Sequence, residues 1–82
     1  MKFGDALDMV KYYKGAKIAR KGWNGKGMFV FKAYAQDLTN CLSNGEFKCN
    51  DSLCLKTAQD TITIGWVPSQ SDMFAEDWEI IN

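Results

Sequence analysis

Histidine is absent from all 82 residues. Its absence removes the side chain whose charge changes near neutral pH, and with it the commonest proton shuttle and metal ligand. A Ser-His-Asp or Cys-His nucleophilic site cannot be assembled from this chain alone. Cysteine is scarce and odd in number: Cys41, Cys49 and Cys54 stand apart, with no close C-x-x-C pair. Three thiols without an imidazole make a poor zinc set unless a carboxylate or a second subunit completes it. They read instead as free thiols of a reducing compartment that pack as small hydrophobes, so no metal and no cofactor is implied. No apolar run approaches the ~20 residues of a membrane-spanning helix. The first residues lack the apolar segment of a secretory signal, and no membrane partner is expected.

Net charge is missing too: ten basic and ten acidic side chains cancel to zero. A neutral chain is a poor electrostatic coat for nucleic acid. The zero conceals a division, however. Residues 1–32 hold eight Lys or Arg and two Asp, a formal +6, whereas residues 33–82 hold two Lys and eight acids, a formal −6. The two halves attract each other, within one subunit or between copies.

What is present is a folded domain. Hydrophobic residues make up 46% of the chain and aromatic residues 13%, too many for a disordered segment. The length fits one domain, residues 1–82. A chain this short buries only about 60–65% of its unfolded surface, so its core is thin and self-association is favoured.

Phe3, Leu7, Val10 and Tyr13 follow a helical stripe, with Asp5 and Asp8 early and Lys11 and Lys14 late, as the helix dipole prefers. This predicts a helix over 3–15 that Gly15 stops. Strands are expected at 17–21, 28–34, 53–57, 61–66 and 77–81, with a glycine-rich turn at 22–27 and a short helical turn at 71–76. Pro68 is expected to end the 61–66 strand, because it cannot donate to a ladder. Residues 35–52 are polar and contain Asn44-Gly45, a strong hairpin signal; a hairpin and an irregular excursion both fit them. The fold class is therefore α+β, one N-terminal helix packed on a small, mainly antiparallel β-sheet.

Two clusters carry candidate chemistry. The first runs from Arg20 through Lys21, Gly22, Trp23, Asn24, Gly25, Lys26 and Gly27 to Met28. Glycine-rich turns aim successive N–H groups at an anion, and an indole stacks on a nucleobase for roughly 1–3 kcal/mol. The spacing is not a Walker loop, since no Ser or Thr follows the lysine to hold magnesium. The same residues suit a tight turn with solvated cations and a tryptophan capping the core, and spacing alone does not choose. The second cluster is Trp66 to Met73, where Ser69, Gln70 and Asp72 suit sugar hydroxyls and base edges and Pro68 stiffens the loop. An ordinary turn beside a core tryptophan fits it equally. Trp78, in an alternating strand, reads as core. Asp72, Glu76 and Asp77 read as a solvated acidic turn pairing with the basic half rather than an acid–base site, because a carboxyl pKa near 7 demands deep burial.

The string from Ala19 through Arg20-Lys21-Gly22-Trp23-Asn24-Gly25-Lys26-Gly27-Met28 to Phe29 resembles the hallmark of the small phage and prophage Thoeris anti-defence two-like family. Phe3-Gly4-Asp5-Ala6-Leu7 and the run from Ser69 to Glu79 resemble it as well, with Lys56-Thr57-Ala58 and Trp66 between. The resemblance implies a sponge, not an enzyme: a protein that binds cyclic ADP-ribose-type immune signals, in some relatives also cyclic oligonucleotides at separate sites, and sequesters them intact. It implies a homotetramer with pockets at subunit interfaces, acting in the cytoplasm of the infected host. By position, Trp23 and Trp66 would stack, Asn24, Gly25, Lys26 and Gly27 would line phosphates, and Ser69, Gln70 and Asp72 would take ribose and base edges, with Arg20 beside them. Gly65 stands where proline is expected in many relatives, which implies a looser strand end. Two other readings compete: a single-stranded nucleic-acid module using Arg20, Lys21, Trp23 and Lys26, which zero net charge disfavours, and a structural or partner-binding prophage protein.

Overall fold

Helix α1 (Phe3–Tyr12) packs on one face of a five-stranded sheet built of β1 (Lys17–Arg20), β2 (Phe29–Ala33), β3 (Ser52–Lys56), β4 (Ile62–Ile64) and β5 (Trp78–Ile81). The computed structural model describes residues 1–23 and 26–81. Helix α2 (Ala35–Ser43) joins β2 to β3, and α3 (Gln70–Phe74) joins β4 to β5. Every strand pair is antiparallel, in the order β4-β3-β2-β1-β5. The α+β architecture expected from the sequence is the one observed.

The last strand returns beside the first, with Arg20 opposite Trp78 and Ile18 opposite Ile80. This pairing sets the end of β1, where the glycine turn begins, against the start of β5. Because strand side chains alternate, Ile18, Val30 and Leu55 share the helix-facing side of the sheet, and Phe29, Phe31, Cys54, Ile62 and Ile64 share the other. Ala6 and Val10 of α1 close over Ile18, Val30 and Trp78 to form the buried core. Burying Val10, Ile18 and Val30 contributes roughly 1.5–3 kcal/mol each.

Helix α1 ends three residues before Gly15. Tyr13 is already extended, and the turn that closes through the Ala16 amide and the Tyr13 carbonyl uses Gly15 at φ +79°. Tyr12 and Tyr13 are largely exposed, so no packing prolongs the helix.

Residues 35–43 form a helix rather than a hairpin, and 44–51 return irregularly to β3. Leu38 and Thr39 are the buried face of α2, and Asp51 accepts from the Ala35 amide at 2.8 Å, satisfying an orphan donor of the first turn. Asn44 (φ 51°) and Gly45 (φ 83°) terminate α2, the Gly45 amide reaching back to the Thr39 carbonyl. A type I′ hairpin and a helix C-terminus both need left-handed residues, so Asn-Gly serves either.

Strand β4 stops at Ile64 rather than near Pro68. Gly65 takes φ 83°, and the amides of Gly65 and Trp66 both donate to the Leu53 carbonyl, at 2.9 and 2.8 Å. Proline can neither adopt that φ nor donate that bond. The strand end is thus pinned, not loose.

Candidate functional site

Three tryptophans meet at the β1–β5 end of the sheet. The Trp23 ring stands edge-on to Trp78 at 5.3 Å and to Trp66 at 6.3 Å, and Trp66 and Trp78 are also 6.3 Å apart. Such edge-to-face pairs contribute about 0.5–1.5 kcal/mol each beyond their burial. Trp78 is fully buried beneath Phe3, as expected of a core residue, while Trp23 and Trp66 are half-buried above it.

Asp72 organises this cluster. Its carboxylate accepts from Arg20 Nη1 at 3.0 Å, Trp23 Nε1 at 3.3 Å and the Ser69 amide at 3.0 Å, and its own carbonyl accepts from Trp78 Nε1 at 2.8 Å. Ser69 Oγ in turn accepts from the Asp72 amide, a capping box that starts α3. Asp72 is only 9% exposed, so it is a buried carboxylate and not part of a solvated acidic turn. Burial pushes its carboxyl pKa up, but hydrogen bonds from Ser69, Arg20 and Trp23 outweigh that and hold it below the ordinary 3.8.

Asp77 completes the clasp. Its carboxylate accepts from Arg20 Nε at 2.9 Å and from the Gly22 amide at 2.8 Å, and its carbonyl accepts from the Lys21 amide. Arg20 and the Gly22 amide hold its carboxyl below the usual range as well. A β-carbon on Gly22 would lie 2.8 Å from Asp77 Oδ2, so only glycine admits this approach. The basic turn and the acidic end of the chain therefore meet within one subunit.

The expected site residues divide accordingly. Arg20, Trp23, Trp66, Ser69 and Asp72 are brought together, and Gln70 is exposed at the start of α3 beside them. Lys26 and Gly27 are exposed on the turn, where no hydrogen bond or ion pair among the described residues ties them to the 66–72 loop. Asn24 and Gly25 lie outside the described residues. Gly27 takes φ 76°, and its carbonyl accepts from Lys56 Nζ at 3.1 Å. Lys56, paired with Asp60 at 2.6 Å, thus brings a further cation to the turn from β3.

The arrangement offers two half-buried indoles and the exposed polar side chains Lys21, Lys26, Ser69 and Gln70. Asp72 accepts from three internal donors and Arg20 donates to two internal carboxylates. Among the described residues, no group of three or more Cys, Asp or Glu is placed to hold a metal ion.

Residues 1–81 match the Thoeris anti-defense 2-like domain. The chain is also 39% identical over 88 aligned positions to Thoeris anti-defense 2 of Bacillus phage SP01, covering all of this chain and 96% of that protein. It belongs to the Thoeris anti-defense 2-like family. The glycine-tryptophan turn through which the sequence resembles the family is here joined to the carboxyl-terminal loop by Asp72 and Asp77. Among the described residues of this family member, no helix is long and apolar enough to cross a membrane. Residue types alone did not single out Asp77 and Lys56 for the site. The one local signal was the Ser69-x-x-Asp72 spacing of a capping box, which marks Asp72 as a structural acceptor.

Proposed function

We propose that this chain is a phage anti-defence protein that acts against Thoeris by binding cyclic ADP-ribose-type signals and sequestering them without cleavage. The observation that carries the reading is the Trp23–Trp66 pair, held half-exposed beside a cationic glycine turn. Indole faces suit the adenine and exposed lysines suit the diphosphate of such a signal. The 39% identity to Thoeris anti-defense 2 of Bacillus phage SP01 supports the same role. Sequestration rather than turnover accords with a chain that has no histidine and whose buried carboxylate is held ionised by its donors.

In this reading Trp23 and Trp66 stack on the ligand, Asn24, Gly25, Lys26 and Gly27 contact its phosphates, and Ser69 and Gln70 contact ribose. Arg20 and Asp72 hold these groups in place. A second copy completes the pocket, in a homotetramer: Val67 and Phe74, at 80% and 81% exposure, flank the site as uncovered apolar surface. The protein acts in the infected host cell.

The test is calorimetry with cyclic ADP-ribose isomers, followed by heating the complex and identifying the released ligand, with native mass spectrometry for assembly. Tight binding and intact ligand are expected. Loss of binding in the Trp23→Ala/Lys26→Ala double variant, with folding retained, would place the site. No binding, or recovery of cleaved product, rejects the reading.

A further inference from the structure

A separate cleft opens at the other end of β1. It has a volume of about 280 Å³ and is lined by Gly15, Ala16, Lys17, Phe29, Phe31 and Tyr34, together with Lys32. Lys17 opens β1 and Arg20 closes it, so this cleft and the clasp lie about 10 Å apart along the strand. Its walls are aromatic: Phe29 and Phe31 are tilted rings 5.8 Å apart, and Tyr34 faces them from the end of β2.

The two cations at the cleft differ. Lys32 is occupied, since its ammonium donates to the Lys11 carbonyl at 3.1 Å, lies 3.5 Å from Asp51 and sits over the Tyr34 ring. Lys17 sits over the Phe29 ring at 4.9 Å, and among the described residues no carboxylate pairs with it. Among the described residues, no acidic side chain lines the cleft. One ammonium with no carboxylate partner among the described residues, above an aromatic wall, complements one negative charge carried on a flat apolar body. A ligand with two phosphates would set its second charge against phenylalanine rings or against Lys32, whose charge is already shared with Asp51.

We propose that this cleft binds a small aromatic ligand bearing a single carboxylate, its ring against Phe29 and Phe31 and its carboxylate on Lys17. The volume suits one or two fused rings. The site is independent of the tryptophan clasp and of the function proposed for it.

The probe is 2-naphthoate, titrated into the whole protein and followed by amide and indole NMR signals. Saturable shifts are expected at Gly15, Ala16 and Phe31, with the Trp23 indole signal unmoved. The neutral analogue 2-naphthalenemethanol should bind about tenfold more weakly, the loss of one charge-assisted contact. Lys17→Gln should abolish that difference while leaving the weaker, neutral binding intact. Four results overturn the proposal: no shift at these amides, equal affinity for acid and alcohol in the native protein, shifts at the Trp23 indole instead, or displacement of the same amides on dilution alone, which would mean that a second copy covers the cleft.

Discussion

The tryptophan end of the sheet and the α2 excursion are both polar connections between strands, yet they are held in opposite ways. At the tryptophan end, the bonds made by Arg20, Gly22 and Trp23 to Asp72 and Asp77 span 49 to 57 residues. Around α2, the bonds of Ala35, Thr39 and Ser43 to Asp51, Cys49 and Phe47 span 4 to 16 residues. The first region exists only when the sheet has brought β1 and β5 together. The second closes largely on itself. Damage at the clasp should therefore be felt by the whole fold, and damage at α2 chiefly by α2.

The hardest test of this contrast is Asp72→Ala. It leaves the Arg20 guanidinium on Asp77 alone, frees the Trp23 indole and removes the cap of α3, so unfolding free energy should fall by about 3 kcal/mol. For a domain of this size the thermal midpoint should drop by at least ~12 °C, and near-ultraviolet circular dichroism should lose its tryptophan signal. A drop of only a few degrees would show that the clasp is incidental to the fold.

Gly22→Ala probes the same clasp more gently. Its new β-carbon would meet Asp77 Oδ2 at 2.8 Å, so the turn must shift. A cost of about 1–2 kcal/mol is expected in urea unfolding. If stability is unchanged, the close approach of Gly22 to Asp77 does not persist in solution.

Gly45→Ala is the matching change at α2. Gly45 sits at φ 83° with open space around it, so the cost is conformational, about 1 kcal/mol. Amide hydrogen exchange should quicken within 35–49 while the tryptophan spectrum stays as it was. Spread of faster exchange to β1 and β5 would erase the distinction between the two regions.

Mild acidification should have the shallowest effect. Asp72 and Asp77 have folded pKa values below their ordinary 3.8, so their stabilisation is complete above that value and drains away as pH falls through the folded values. Asp51, lowered chiefly by the Ala35 amide, behaves alike at α2. Stability from these groups should be flat between pH 7 and 5 and decline only in stronger acid. A decline already present at pH 6 would contradict the assignment of ionised, hydrogen-bonded carboxylates.

Much of the fold was readable before the structure. The 3.6-residue stripe of Phe3, Leu7 and Val10 marked α1, and the β-branched and aromatic runs marked each strand to within two residues at either end. These patterns are local, and each element carries its own period. Asn44-Gly45 was harder, because a left-handed pair is compatible with a hairpin and with a helix end, and only the buried positions of Leu38 and Thr39 distinguish them. The site was half legible. Tryptophans, glycines and lysines drew attention by their chemistry, whereas the partners of Asp72 and Asp77 did not, since nothing near them in the chain names a donor fifty residues away.

By itself, then, the sequence determined an α+β fold class, a set of side chains without histidine and a division into a +6 half and a −6 half. The tertiary structure alone decided where that division closes: on Arg20, between Asp72 and Asp77, beneath three tryptophans. The reason is physical. Periodicity and turn preference act between neighbours and are written in order along the chain, but a charge finds its partner through space, and that proximity arises only when the last strand lies down beside the first.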